Sequence, residues 1–98
     1  MKAWELLSDK SKWTKRAFAR GGNGEVVDAR SEEATCWCTL GAIQRCYLAP
    51  GRARIKWMEM AQHLEQAPPI QRFGGIVADW NDAATYEEVV ALLKELDI

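Results

Sequence analysis

The chain has 98 residues, of which 48% are hydrophobic and 28% charged, a composition typical of one small globular domain. No run of about 18 apolar residues occurs, so the sequence predicts no membrane-spanning helix. No secretory segment is recognisable, and we expect the three cysteines to be free thiols in a cytoplasmic protein. The net charge of −1 conceals an asymmetry, because residues 1–56 hold eleven Lys and Arg against six Asp and Glu, whereas residues 57–98 hold two against eight.

A short helix and a β-hairpin are predicted in the first third of the chain. Residues 4–7 form the helix, which ends at Ser8 and Asp9. Residues 13–20 and 25–27 form two extended segments. The turn between them contains three glycines and an asparagine, the residue types that adopt the positive φ angles of tight turns.

The segment that holds all three cysteines is predicted to be the central helix. Ser31 is a suitable N-cap, two glutamates follow it in the first turn, and Pro50 and Gly51 end the helix after about Leu48. Two apolar faces result, one of larger and one of smaller side chains, and a helix with two apolar faces is buried on both. Their residues are Cys36, Leu40, Ile43 and Tyr47, and Ala34, Cys38, Gly41 and Ala42.

Three further helices are predicted in the second half. Residues 52–66 form a helix that is ended by Pro68 and Pro69. A short helix at residues 76–80 is closed by Asn81 and Asp82. The last helix begins with a capping box, in which a threonine and a glutamate three residues later bond to each other's backbone.

The predicted fold class is therefore mainly α. Residues 1–98 form a single globular domain of four to five helices around a central buried helix at about residues 31–48, with a small N-terminal β-hairpin. The chain contains five tryptophans, two tyrosines and two phenylalanines, so we expect an aromatic core with a large buried area per residue.

Four short motifs give the chain a distinctive pattern: Trp13-Thr14; Cys36-Trp37-Cys38-x-x-Gly41-Ala42; Trp80-Asn81-Asp82; and Thr85-x-Glu87-Glu88-Val89. In this order they resemble a family of small uncharacterised proteins of bacteria and their phages, a domain of unknown function. The resemblance covers residues 6–96. It implies no assigned activity and no catalytic residue.

The cysteines and the single histidine have the residue types of a Cys₃His zinc site but not its spacing. Residues two apart on a helix point about 200° apart, so Cys36 and Cys38 could not share a metal ion there. Cys46 lies eight residues beyond Cys38, about 12 Å along the helix axis. The usual zinc spacing has two to four residues between cysteines. We therefore predict no metal site and no cofactor.

A catalytic thiol would make the protein a small cysteine-dependent enzyme or redox protein. This chemistry requires a thiolate near a cation or a helix N-terminus, within reach of an imidazole such as that of His63. Cys36 is close to the predicted helix start, but Glu32 and Glu33 beside it disfavour a thiolate. The sequence favours a protein without catalytic residues.

A non-catalytic protein–protein interaction module is the leading prediction. The phage association of the resembling family refines it to a phage-encoded inhibitor that blocks a surface of a bacterial defence complex, as anti-CRISPR proteins do. The predicted partner-binding residues are carboxylates of the second half together with two apolar residues: Asp79, Asp82, Glu87, Glu88, Glu95, Ile55 and Met58.

Nucleic-acid binding through the basic first half is an alternative. The basic residues there alternate with Trp13 and Phe18, which could stack on bases. The candidate residues are Lys12, Lys15, Arg16, Arg20, Arg52, Arg54 and Lys56. The acidic second half opposes binding to a phosphate backbone.

Overall fold

Helices dominate the computed structural model, which describes residues 1–48 and 53–98 and, at residues 53–55, the backbone alone. The described helices are α1 (Ala3–Leu6), a 3₁₀ helix (Lys10–Lys12), α2 (Thr39–Tyr47), α3 (Ala53–Glu65), α4 (Pro68–Gln71), α5 (Val77–Ala83) and α6 (Tyr86–Glu95). The strands are β1 (Ala19–Arg20), β2 (Val26–Val27) and β3 (Cys36–Trp37). A mainly α single domain agrees with the prediction.

The three short strands form one antiparallel sheet in the order β2-β1-β3. Ala19 of β1 pairs with Val27 on one side and with Trp37 on the other. These residues face the core, because Ala19 and Trp37 are buried and Val27 is half-buried. The predicted hairpin is present as β1 and β2, but only residues 19–20 of the predicted extended segment 13–20 form a strand, and the hairpin belongs to a larger sheet.

The prediction of a helix from residue 31 is wrong. Residues 31–38 make a turn and then β3, and α2 begins at Thr39 with Cys38, not Ser31, as its N-cap. Pairing with β1 explains the difference, because it satisfies backbone groups of β3 and buries Trp37, whose indole donates to the carbonyl of Ala29 at 2.9 Å. Cross-strand pairing and the burial of an aromatic ring decide the conformation of so short a segment.

α2 is the central helix of the fold. It packs against α1, α3 and α5, and Thr39, Gly41, Ala42 and Ile43 are buried along it. Ile43 of α2 is one of the largest fully buried apolar side chains of the core. The others come from elsewhere in the chain: Leu7, Leu64, Ile70, Val89, Leu93 and Ile98. A central buried helix is therefore present, though shorter than predicted.

Gly41 marks the closest approach between α2 and the sheet. A Cβ atom at this position would collide with the backbone carbonyl of Phe18. At Gly41 the neighbour is the backbone that leads into β1.

The helix α3 matches the prediction, but the two helices after it differ. Pro68 and Pro69 do not only end α3, because they are the first residues of α4, where their missing N–H groups and fixed φ angles cost nothing. α5 continues to Ala83, so Asn81 and Asp82 lie within the helix and do not close it. Their side chains do not cap the helix but bond to distant segments of the chain.

The N-terminus of α6 has the predicted capping box. The hydroxyl of Thr85 accepts a hydrogen bond from the backbone N–H of Glu88 at 3.2 Å. The carboxylate of Glu88 accepts one from the N–H of Thr85 at 2.9 Å. Both bonds satisfy backbone donors that a helix terminus leaves unpaired.

Candidate binding groove

A buried asparagine joins three segments of the chain beside the sheet. Asn81 of α5 is 1% exposed, and its side-chain oxygen accepts hydrogen bonds from the indole of Trp13 and the backbone N–H of Thr39, both at 2.9 Å. Its side-chain nitrogen donates to the carbonyl of Thr14 at 3.1 Å. The N-terminal segment, the first turn of α2 and α5 are thereby held in one arrangement.

Arg16 has a left-handed backbone next to this junction, with φ of 64°. Such a conformation costs an L-residue about 1 kcal/mol or more. The N–H of Arg16 donates to the carboxylate of Asp82 at 3.0 Å, which fixes the turn. Strained residues of this kind cluster at functional sites, so the surface beside Arg16 is a candidate.

A groove of about 360 Å³ lies between the outer face of the sheet and α5. Its apolar lining residues are Ala17, Phe18, Val26, Leu40 and Ala78, and Arg16, Cys38, Asn81 and Asp82 add polar atoms. Phe18 is 48% and Val26 67% exposed. Apolar concave surfaces of about 300–1,000 Å³ with a few polar groups are typical of binding sites.

The thiol in the groove lining, that of Cys38, has a structural role. Cys38 is buried, and burial raises the pKa of its thiol. Its sulfur already accepts a hydrogen bond from the N–H of Gly41 at 3.3 Å as the cap of α2. His63 is exposed on α3 and lines a different depression, with Lys56 and Tyr47. The structure does not bring Cys38 and this imidazole together.

The other two cysteines lie apart from the groove lining. Burial raises the pKa of the Cys46 thiol to about 11. Cys36 is half-buried in β3. Within residues 1–48 and 53–98, no three His, Cys, Asp or Glu side chains converge in a way that could hold a metal ion.

The predicted acidic residues lie on separate surfaces. Asp82 lines the groove, and Asp79 is exposed on the same helix. Glu87 lines a cleft with Trp4 and Lys94, whereas Glu88 lines a different depression, with Arg72 and Phe73. Glu95 is exposed near the end of α6. Three of the five carboxylates therefore line three different depressions, and the other two are exposed.

The two apolar residues of the predicted partner surface belong to α3. Met58 is exposed there. The side chain of Ile55 lies outside the described residues. Met58 does not line the groove.

The predicted basic residues serve different roles. Lys12 is exposed in the 3₁₀ helix, and the ammonium group of Lys15 lies 5.3 Å from the ring centre of Trp13. The guanidinium of Arg20 donates to the carbonyl of Gly24 at 3.0 Å, which ties down the hairpin. Lys56 lies in the depression of α3. Arg52 and the side chain of Arg54 lie outside the described residues.

The model of a family of unknown function, DUF6197, matches residues 1–96 of the chain. The chain belongs to this family. The predicted membership of an uncharacterised family is thereby confirmed. The bacterial and phage origin stays a prediction. No curated protein and no solved structure matched the chain. In the described parts of this DUF6197 protein, no helix is long and apolar enough to cross a membrane.

Sequence reasoning missed the apolar lining of the groove in this DUF6197 protein. The sequence placed Leu40 on a buried helix face and Phe18 among residues that could stack on bases. It gave Val26 no role beyond the hairpin. Strand alternation places Phe18 and Val26 on one face and Ala19 and Val27 on the other, although it does not tell which face is buried. Ala19 and Val27 face inward, so Phe18 and Val26 had to lie on the outer face of the hairpin.

Proposed function

We propose that this DUF6197 protein is a non-catalytic binding module, whose groove between the sheet and α5 takes an apolar side chain of a protein partner. The observation that carries the proposal is the exposure of Phe18 and Val26 at the wall of a concave apolar surface. Exposed apolar residues that converge in a groove mark interaction sites, whereas single ones scattered over a surface do not.

The groove is built from elements that are already fixed to one another. Asn81 links α5 to the start of α2, and Asp82 holds the turn at Arg16. A preformed site loses little conformational entropy on binding. The burial of one large apolar side chain contributes about 1.5–3 kcal/mol, so we expect the groove to be one anchor of a larger interface.

Two arginine substitutions at alanine positions of α5 test this function. Ala78 lines the groove, whereas Ala83 lines the depression beside Trp80 and Glu88, and both alanines are exposed. Arginine is a good helix former, so Ala78→Arg fills the groove and Ala83→Arg adds the same charge elsewhere. The measurement is affinity capture from a bacterial lysate, with quantification of each captured protein.

The expected result is a partner that the wild type and Ala83→Arg retain equally and that Ala78→Arg loses by about tenfold or more. Equal retention by all three proteins would show that the groove is not the binding surface. A captured protein counts as a partner only if its retention distinguishes the two variants.

The finer proposal concerns the class of partner. The bacterial and phage proteins that the chain resembles favour a partner in a bacterial defence complex, whose surface the bound module blocks. The test is phage plating on a host with an active CRISPR system, with wild type, Ala78→Arg and Ala83→Arg each expressed in turn. We expect wild type and Ala83→Arg to restore plating and Ala78→Arg to fail. Unchanged plating with wild type would refute the inhibitor and leave the binding module to the capture experiment.

A further inference from the structure

Among the described residues, the sheet has one edge to which no further segment is bonded. β1 lies in the middle, and the far side of β3 is covered where the N–H of Thr14 donates to the carbonyl of Trp37 at 3.0 Å. β2 forms the other edge. The N–H and carbonyl groups of an edge strand that point outward are a template for another strand.

The pairing register shows which groups of β2 point outward. The N–H of Gly21 donates to the carbonyl of Glu25 at 2.9 Å, so these residues are a hydrogen-bonded pair. Bonded and non-bonded pairs alternate along antiparallel strands, and the next pair, Arg20 and Val26, is therefore non-bonded. The N–H and carbonyl of Val26 consequently point away from β1. Outside the sheet, no described backbone group bonds to them.

The side chain of the same residue lines the groove. A strand that paired with Val26 would place the residue opposite it on the same face of the sheet, since paired side chains of antiparallel strands lie side by side. One extended segment could thus bond to the edge and insert a side chain into the groove.

The charge at this edge selects the occupant. Asp28 is exposed and lies on the same face of β2 as Val26, two residues along. Arg20, which pairs with Val26, is also on this face, but its guanidinium donates to the carbonyls of Gly24 and Lys15. The charges of Arg16 and Asp82 in the groove lining offset one another. A second copy of this chain, paired edge to edge about Val26, would place its own Val26 opposite and so supply no large side chain for the groove. A segment with basic residues would be attracted.

We infer that the partner of the proposed module is an extended segment that adds a fourth strand to β2. Its central residue is large and apolar and enters the groove, and basic residues two positions before and after it lie on the same face of the added strand. This inference rests on the proposed function, because it specifies how the partner reaches the groove. It is a form of β-strand addition, in which backbone bonds give affinity and alternate side chains give specificity.

The probe is the synthetic peptide acetyl-Lys-Val-Phe-Val-Lys-amide, which has this pattern. It is titrated into ¹⁵N-labelled protein, and amide chemical shifts are followed. We expect shifts at Val26 and around the groove, with a Kd of about 0.1–1 mM. Two control peptides are matched to it, one with an N-methyl group on the phenylalanine and one with both lysines replaced by glutamate. Each control peptide should bind at least about tenfold more weakly than the probe.

A variant of the protein tests the same edge from the other side. Val26→Pro removes the outward N–H and nothing that β1 uses, and proline is tolerated at such positions of edge strands. We expect this variant not to bind the peptide. Val26→Ala keeps the backbone donor, so its affinity for the peptide should fall by less than about tenfold. The N-methyl peptide provides the same comparison with wild-type protein if Val26→Pro does not fold.

The outcomes separate this inference from the proposed function. Groove shifts that are equally strong with the N-methyl peptide would refute strand addition and leave groove binding intact. The absence of shifts at about 5 mM peptide would refute an occupant with basic and apolar residues. The capture experiment with Ala78→Arg and Ala83→Arg would still test whether the groove binds a partner. A concentration-dependent dimer with Val26 at its interface would refute the inference in favour of a second copy.

Discussion

The side-chain oxygen of Asn81 lies 2.9 Å from the indole nitrogen of Trp13, although 68 residues separate them in the chain. The same carboxamide bonds to the backbone at Thr14 and Thr39. A buried polar side chain with all its partners present specifies one arrangement of the segments that it joins. The Trp80-Asn81-Asp82 motif therefore has a structural role, which is to hold α5, α2 and the N-terminal segment together beside the groove.

Replacement of this asparagine should destabilise the fold strongly. Asn81→Ala leaves the buried N–H of Thr39 and the indole N–H of Trp13 without an acceptor. Each unsatisfied buried group costs about 1–3 kcal/mol, so we expect a loss of about 3–5 kcal/mol, measured by urea unfolding. Asp79→Ala, an exposed change on the same helix, should stay within about 0.5 kcal/mol. Similar unfolding midpoints for the two variants would contradict this role.

A methyl group at Gly41 should force α2 and β1 apart. Because the added Cβ would collide with the backbone of Phe18, no side-chain rotation can relieve the contact. We expect Gly41→Ala to lower the free energy of unfolding by at least about 2 kcal/mol and to shift the amide resonances of Phe18 and Leu40. Gly22 has open space around it, so Gly22→Ala should be neutral or slightly stabilising. The idea fails if both alanine variants are equally stable.

The half-buried thiol of Cys46 should make stability decrease at alkaline pH. Its pKa is raised from 9.0 to about 11 by burial, so the unfolded chain releases this proton first as the pH rises. The contribution is present below pH 9 and is lost between about pH 9 and 11. Wild type should therefore lose more stability than Cys46→Ala over that range, as measured by urea unfolding at several pH values. Parallel pH profiles would show that this thiol does not contribute.

The capping box of α6 provides a fourth prediction. Thr85→Ala removes the acceptor for the N–H of Glu88 and should cost about 1 kcal/mol, measured by thermal or urea unfolding. Thr85→Ser keeps the hydroxyl and should cost little. If serine and alanine have the same effect, the hydroxyl does not cap the helix. Because Glu88 takes part in this box, a loss of partner binding in a Glu88 variant requires comparison with Thr85→Ala before it is assigned to an interface.

Local signals were sufficient for several elements of the fold. The Thr85 and Glu88 capping box marks the start of α6, and the glycine-rich turn marks the hairpin of β1 and β2. Helix α3 begins and ends within one residue of its prediction. In each case the information lies within a few residues of the element, where backbone propensity and side-chain capping act.

The groove could not be predicted in the same way. Its lining residues come from the β1–β2 hairpin, α2 and α5, which are far apart in the chain. Whether Phe18 is buried or exposed depends on which face of the sheet meets the helices. That choice is made by Trp37 and Ala19 on the inner face, and no local pattern around Phe18 reports it.

The sequence by itself determined a small, mainly helical domain with a central apolar segment, together with the elements whose caps and turns are local. Only the tertiary structure decided that residues 36–37 are a strand and that Asn81 is a buried junction. Both depend on partners distant in the chain, since β3 needs β1 and Asn81 needs Trp13 and Thr39. Burial and cross-strand bonding outweigh the weak propensity of a short segment, so the groove exists only once these distant pairs have formed.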